Sequence, residues 1–201
     1  MLGEHTFDCY RRGQMDAVRE LTPVYAGPSE DAEQVTQLLA GEPLTVEERH
    51  DGWARVRTAY HYPGWIREGA LGGEPDPAWL EAQTADPVDW ARGLLGAPYL
   101  WGGMTAAGID CSGLVHMGFR ATGRLVPRDA DQQEDAGSPV DGDPRPGDLV
   151  TYGDEGPADH VAFWLGEGRI LHATQREGTD CVVEEQEPAE LASRRRRIFR
   201  L

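Results

Sequence analysis

The sequence predicts an α+β fold: a small β-rich domain, then a domain in which helices come first and strands afterwards. Three observations carry this. Short β-type runs separated by turn signals crowd residues 21–73. A helix start at Asp86-Pro87 and an apolar helix opening at Cys111 follow. From Asp148 onward the chain reads as successive strands, so the cysteine-bearing helix is expected to pack on an antiparallel sheet. A length of 201 residues accommodates one ordinary domain or two small ones with ample core.

Taken in order, residues 1–20 form a polar N-terminal segment of mixed charge. In 21–73 the candidate strands are Thr22–Tyr25, Gln34–Leu39, Pro43–Glu47 and Trp53–Arg57, the last alternating apolar and polar as a half-buried strand should. Gly41-Glu42, Asp51-Gly52 and Pro63-Gly64 supply turns, and so many short strands in so short a stretch suggest a small SH3-like β-barrel. Residues 74–85 read as a linker, following Gly72-Gly73 and containing Pro75 and Pro77. Asp86 as N-cap and Pro87 at the first helical position open a helix expected through Trp90 and Leu94 to about Gly96-Ala97-Pro98. A loop with Tyr99-Leu100-Trp101-Gly102-Gly103 leads to the Cys111 helix, expected to about Ala121. Asp129 to Pro146 reads as a polar, proline-rich loop. Strands are expected at Asp148–Tyr152, His160–Leu165, Arg169–Ala173, Cys181–Glu184 and Arg197–Leu201, which completes a second domain over 86–201.

Composition excludes several roles. Acidic residues outnumber basic ones by 35 to 19, for a formal net charge of -16, and every basic residue is arginine. Such a surface argues against nucleic-acid partners and against docking on an anionic membrane; the run Arg194–Arg197 is then the solvated lead-in to the last strand, paired with local carboxylates. No apolar run reaches the length of a membrane span, and residues 1–20 lack the apolar stretch of a secretory signal, so the expected compartment is the cytoplasm. An exported protein whose leader is missing from the sequence would look the same. Cys9, Cys111 and Cys181 cannot all pair and show no Cys-x-x-Cys spacing, which fits a reduced compartment with one working thiol and no metal or other cofactor.

That thiol is Cys111, in Gly108-Ile109-Asp110-Cys111-Ser112-Gly113-Leu114. At a helix N-terminus it faces unpaired amides and the positive end of the dipole, which predicts a thiolate that alkylates at mildly acidic pH. The same amides suit an oxyanion, and Gly108 and Gly113 permit close backbone approach. His160, opening a strand, is the candidate base, and His172 the group that orients it; the chain contains no asparagine for that third place. His116, five residues past Cys111, turns roughly 140° away on the helix and should not reach the thiol. His5, His50 and His61 read as surface residues, and Cys9 and Cys181 as structural or incidental. A Cys/His/His zinc site finds no fourth ligand at ordinary spacing.

With these residues in place, the chain resembles the NlpC-type family of papain-like cysteine peptidases that cut bacterial cell-wall peptides. The resemblance runs over most of 86–201, through Pro98-Tyr99-Leu100-Trp101-Gly102-Gly103, Asp110-Cys111-Ser112-Gly113-Leu114, Pro127-Arg128, Pro146-Gly147-Asp148-Leu149, His160-Val161, Leu165-Gly166 and His172-Ala173. It implies Cys111 as nucleophile, His160 as base and His172 as the orienting residue. The first domain resembles bacterial SH3-like domains through Val24-Tyr25-Ala26, Gln34–Gly41, Gly52-Trp53 and Tyr62-Pro63-Gly64-Trp65.

The combination is similar to γ-D-glutamyl-meso-diaminopimelate (or L-lysine) endopeptidases. It implies substrates of the L-Ala-γ-D-Glu-diaminopimelate type with a free N-terminal L-alanine, in muropeptide recycling or turnover. Asp110, Ser112 and Tyr62, with Tyr60 competing for the last role, would hold the free amine, and Tyr99 and Trp101 would line its pocket. The alternatives are an amidase or acyltransferase on the same scaffold, or a non-catalytic binder of wall fragments; neither oligomeric state nor diaminopimelate against lysine is readable.

Overall fold

The computed structural model describes residues 15–201, and the chain divides into two compact units, one ending at Glu81 and the other beginning at Ala82. Cys9 and His5 lie outside the described residues.

In the first unit seven strands form one antiparallel sheet: β1 (Asp16–Val18), β2 (Thr22–Tyr25), β3 (Gln34–Leu38), β4 (Pro43–His50), β5 (Trp53–Thr58), β6 (Pro63–Arg67) and β7 (Leu71–Gly73), in the order β3-β2-β6-β5-β4-β1-β7. The expected strands are present, and β6 and β7 extend the set. β1 lies ahead of residue 21, and pairs with both β4 and β7. Alternation explains the core, since Ala54, Val56 and Ile66 point inward with Val18, Val24, Leu38 and Leu44, while Arg55 faces solvent. The turn between β4 and β5 is the expected Asp51-Gly52 pair, with φ of 47° and 79°, the left-handed geometry of a two-residue hairpin.

The second unit begins with α1 (Pro87–Arg92), capped by Asp86, whose Oδ1 accepts from the Val88 N–H at 2.8 Å. A two-stranded ribbon of β8 (Met104–Thr105) and β9 (Gly108–Ile109) delivers the chain into α2 (Cys111–Arg120). There follow α3 (Ala130–Ala136), β10 (Ser138–Pro139), β11 (Leu149–Tyr152), β12 (His160–Gly166), β13 (Arg169–Arg176), β14 (Thr179–Gln186), α4 (Ala189–Ser193) and β15 (Arg195–Arg200). The six strands β10-β15-β11-β12-β13-β14 make one antiparallel sheet in that order. Leu114, Val115 and Phe119 of α2 share a core with Phe163, Leu171, Ala173, Val182 and Phe199, and the opposite side of the sheet is closed by Val150, Tyr152, Ala162, Trp164 and Ile170 with Leu191 of α4. The α+β architecture with the cysteine helix on an antiparallel sheet is as expected. None of the described helices is long and apolar enough to cross a membrane.

Three expectations are corrected. Pro63-Gly64, read as a turn, opens β6 and pairs with β5. The stretch 129–146, read as loop, contains α3, because tertiary partners bury Gln133 and Glu134: Gln133 Nε2 donates to the carbonyls of Ser112 (3.0 Å) and Pro127 (2.9 Å), and Glu134 meets Thr151 and Arg196. Most of the arginine run lies within strand β15 rather than leading into it, although its pairing with carboxylates is as expected: Arg194 with Asp154 and Asp159, Arg195 with Glu187, and further along the strand Arg200 with Asp148.

His116 is fully buried on α2, and burial, with Arg128 and Arg120 nearby, pushes its pKa down to about 3. An unfolded histidine takes its proton near pH ~6.5, so between those values the unfolded chain binds more protons than the folded one. Stability should therefore be complete above pH ~6.5 and decline as pH falls toward 3, by on the order of 1 kcal/mol per pH unit from this ring. Thermal melts of wild type and His116→Leu across that range should show a shallower decline in the variant; equal slopes would remove His116 from the acid response.

Candidate active site

Cys111 is the first residue of α2, and its N-cap is Asp110. The Asp110 carboxylate is almost fully engaged. Oδ1 accepts from the Gly113 N–H at 2.6 Å and from Arg128 Nη1 at 3.0 Å; Oδ2 accepts from the Gly102 N–H and from Arg128 Nη2, both at 2.7 Å. Arg128 also donates to Ser112 Oγ at 2.8 Å, and both Arg128 and Asp110 are buried. A bidentate pair of this kind compensates two charges that would otherwise be costly to bury, and it ties three segments together: the 100–103 loop, the start of α2 and the chain after α2. Gly113 is required by the close approach, since a Cβ there would lie 2.4 Å from the Gly103 carbonyl and 2.8 Å from Asp110 Oδ1.

The cap decides which first-turn amides remain for chemistry. Gly113 N–H is taken by Asp110 and Leu114 N–H bonds to the Asp110 carbonyl at 2.9 Å, which leaves those of Cys111 and Ser112. The Ser112 and Val161 backbones face the sulfur, so the thiol lies against the first residues of β12, next to His160.

Burial at this helix start opposes the ready thiolate that the helix dipole alone predicts. Burial, then the Asp110 carboxylate, push the Cys111 thiol up to about 12, against the opposing influence of the Val161 and Ser112 amides and Arg128. His160 is pushed down to about 3 by burial, with His172, Arg194 and Arg176 adding to it. Both shifts favour the neutral forms, and a neutral imidazole can serve as a general base.

His160 Nε2 lies 2.7 Å from His172 Nδ1, the rings meeting edge to face. Strand alternation makes this possible: His160 shares its sheet face with Ala162 and Trp164, and Trp164 pairs with Ile170, two residues before His172. Tyr152, opposite His160 in the β11–β12 register, packs its ring 5.7 Å from the imidazole. Beyond His172 stands Glu185 of β14, whose Oε1 is 3.0 Å from His172 Nε2, and Arg176 grips both Glu185 oxygens at 2.6 Å.

The predicted residues Asp110, Cys111 and Ser112 thus form one cluster with Arg128, and His160 and His172 are directly bonded. Tyr99 is partly buried against the core of the second unit, and Trp101 is exposed. Burial, together with Cys111 and Asp110, pushes the Tyr99 phenol well above its ordinary range, so it stays protonated. Tyr62 belongs to the first unit, where it packs beside Tyr60, whose hydroxyl lies 3.2 Å from Thr36 Oγ1. Sequence reasoning missed the parts played by Arg128, Gln133, Glu185 and Arg176. Arg128 stood in the Pro127-Arg128 motif without a role, and Glu185 is visible only once the β13–β14 register sets it near His172. Among the described residues no group of three or more His, Cys, Asp and Glu is placed to hold a metal ion.

Comparison with known proteins gives a consistent result. Residues 96–192 match the NlpC/P60 family, and residues 24–71 match the bacterial dipeptidyl-peptidase Sh3 domain. The chain is 44% identical over 137 residues to the gamma-D-glutamyl-L-lysine dipeptidyl-peptidase of Bacillus subtilis (strain 168), covering 65% of this chain and 44% of the relative. The protein of the same name from Bacillus cereus (strain ATCC 10987 / NRS 248) is 33% identical over 96 residues, 46% of this chain and 29% of the relative. Among solved structures, the NlpC/p60 domain of the peptidoglycan hydrolase SagA is similar with a TM-score of 0.50 and 30% identity, over 58% of this chain and 97% of that domain. An NlpC/P60 family protein from Bacillus cereus ATCC 10987 shares the fold with a TM-score of 0.56 at 23% identity, over 92% of this chain and 62% of that one. The chain spans less than half the length of these two curated relatives.

Two outcomes follow from the geometry. Arg128→Met strips the buried Asp110 of its counter-charge and should destabilise the second unit by about 3–5 kcal/mol, read by denaturant unfolding. Iodoacetamide alkylation of Cys111 should quicken steadily as pH rises through about 8–10, because the thiolate is the reactive form; a plateau at acidic pH would instead reveal a preformed thiolate–imidazolium pair.

Proposed function

We propose that this chain, which belongs to the NlpC/P60 family, is a cysteine peptidase that hydrolyses the γ-D-glutamyl–diamino-acid bond of peptidoglycan-derived peptides, lysine or diaminopimelate standing third. The observation that carries the reading is Cys111 at the N-terminus of α2, set against Val161 while the adjacent His160 is bonded to His172. The likeness to a protein named gamma-D-glutamyl-L-lysine dipeptidyl-peptidase supports the choice of bond.

In this reading the Cys111 sulfur attacks the γ-D-glutamyl carbonyl carbon as its proton passes to His160. The neutral resting pair makes proton transfer part of the attack rather than a step completed beforehand. The amides of Cys111 and Ser112 then receive the oxyanion, fixed dipoles that need no reorganisation when charge develops. His160 returns the proton to the departing amine and the C–N bond breaks, leaving a thioester on Cys111. A water that gives its proton to the same imidazole hydrolyses the thioester and restores the thiol.

Substrate choice is the finer part of the proposal. Asp110 and Ser112 are proposed to receive the free L-alanine amine, with Tyr99 and Trp101 beside it. Arg128 compensates Asp110, so an ammonium approaching the cluster meets a hydrogen-bonded ion pair rather than a bare carboxylate. Selectivity then rests on the summed acceptors of the pocket, Ser112 Oγ included. An enzyme with this requirement acts on trimmed muropeptides, whose N-termini are exposed, rather than on amine-capped wall.

The test is mass-spectrometric hydrolysis of L-Ala-γ-D-Glu-meso-diaminopimelate and its L-lysine counterpart, each also in N-acetylated form, with Cys111→Ala as control. Cleavage of the free-amine peptides alone, abolished by the substitution, is expected. Equal cleavage of the acetylated forms would discard the amine pocket while keeping the peptidase. No cleavage of any peptide by folded protein would reject the reading.

A further inference from the structure

Beyond the two histidines, the chain of contacts continues to a carboxylate. We propose that Glu185, held by Arg176, is a positioning residue that selects the ring tautomer of His172 and, through it, that of His160. The inference rests on the proposed peptidase reading for its catalytic meaning, but its structural content stands apart from substrate.

Donors and acceptors have to match along the whole series. Glu185 lies against the guanidinium of Arg176, with both oxygens at 2.6 Å, and against His172. Burial works against its charge, yet Arg176 and His172 outweigh it and hold the Glu185 carboxyl below the ordinary range. An ionised carboxylate only accepts hydrogen bonds, so the contact at 3.0 Å requires His172 Nε2 to carry the hydrogen. Burial lowers the His172 pKa, which keeps this ring neutral with a single N–H. Its Nδ1 is therefore an acceptor. The 2.7 Å contact to His160 then requires a hydrogen on His160 Nε2. His160 is also neutral at rest, and so its remaining nitrogen, Nδ1, holds the free lone pair. That is the nitrogen left to take the Cys111 proton.

Reversing any link reverses the whole chain. With a hydrogen on Nδ1, His172 would donate to His160 Nε2, the single hydrogen of His160 would move to Nδ1, and the base would present an N–H where a lone pair is needed. Charges around the pair do not make this choice by themselves. Arg176 and Arg194 raise the cost of protonating His160 but act on both nitrogens, and Tyr152 packs against the ring at a tilt of 40° while its hydroxyl donates to Glu187. Glu185 is the group whose contact distinguishes one nitrogen of His172 from the other. A wrong tautomer in a catalytic triad costs about 10⁴-fold when the orienting residue itself is altered. Glu185 stands one residue further out, so a loss of about 10- to 100-fold in kcat with little change in KM is expected on its removal.

The experiment uses the full chain with ¹⁵N-labelled histidine and compares wild type, Glu185→Ala and Glu185→Gln, after thermal melts establish that each is folded. Ring ¹⁵N shifts should place the hydrogen of His172 and of His160 on Nε2 in wild type. In Glu185→Ala the His172 hydrogen should redistribute toward Nδ1, with the fall in kcat; Glu185→Gln, which keeps an accepting oxygen, should recover part of both. A His172 hydrogen on Nδ1 in wild type, or ring shifts unchanged in folded Glu185→Ala, would overturn the proposal. The shifts need no substrate, so a protein inert toward every muropeptide would refute the peptidase reading and still show whether Glu185 sets the tautomer.

Discussion

A carboxylate and a guanidinium taken out of water at the start of α2 must satisfy one another, and the site is arranged around the Asp110–Arg128 pair that results. Asp110 caps the helix through Gly113, holds the preceding loop through Gly102, and is neutralised by an arginine from beyond the far end of the helix. Buried pairs of this kind add little net stability compared with an apolar replacement, but losing one partner strands the other's charge. The arrangement is thus better understood as a constraint on geometry. It fixes where the first turn of α2 begins, which amides are used up by capping, and hence where the sulfur of Cys111 and its two remaining amide neighbours stand.

The same burial that gives the site its precision sets its resting protonation. The helix N-terminus favours a thiolate, yet Cys111 is enclosed and lies beside the Asp110 carboxylate, and these influences win over the Val161 and Ser112 amides. His160 is neutral for the matching reason: a buried imidazolium next to a second imidazole and within reach of arginines is unfavourable. In the proposed reaction, the histidine–histidine–glutamate series matters less as a source of charge than as a way of presenting a lone pair in one direction.

Elements whose stability is local were legible in advance. Asp86-Pro87 announced a helix start because capping depends on residues two positions apart. Asp51-Gly52 announced a hairpin because both positions need positive φ. Helix α3 was not legible: its sequence, Ala-Asp-Gln-Gln-Glu-Asp-Ala, is polar and without an apolar stripe, and its buried side is made of Gln133 and Glu134 paired with groups far away along the chain. The arginines around the start of β15 were read correctly as partners of carboxylates, here Glu134, Asp154, Asp159 and Glu187, but not as strand, because strand membership depends on pairing with β11 and β10.

What the sequence determined by itself is the order of the elements and which candidate side chains stand at their starts. A cysteine at a helix start, followed by strand-borne histidines, follows from capping and periodicity, which are short-range rules. What only the tertiary structure decided is how those groups are charged and aimed. Arg128 reaches Asp110 across 18 residues of chain, and Glu185 reaches His172 across a hairpin whose register no local pattern states. Burial, which sets the thiol high and the imidazole low, is a property of everything packed around a residue and of none of its neighbours in sequence.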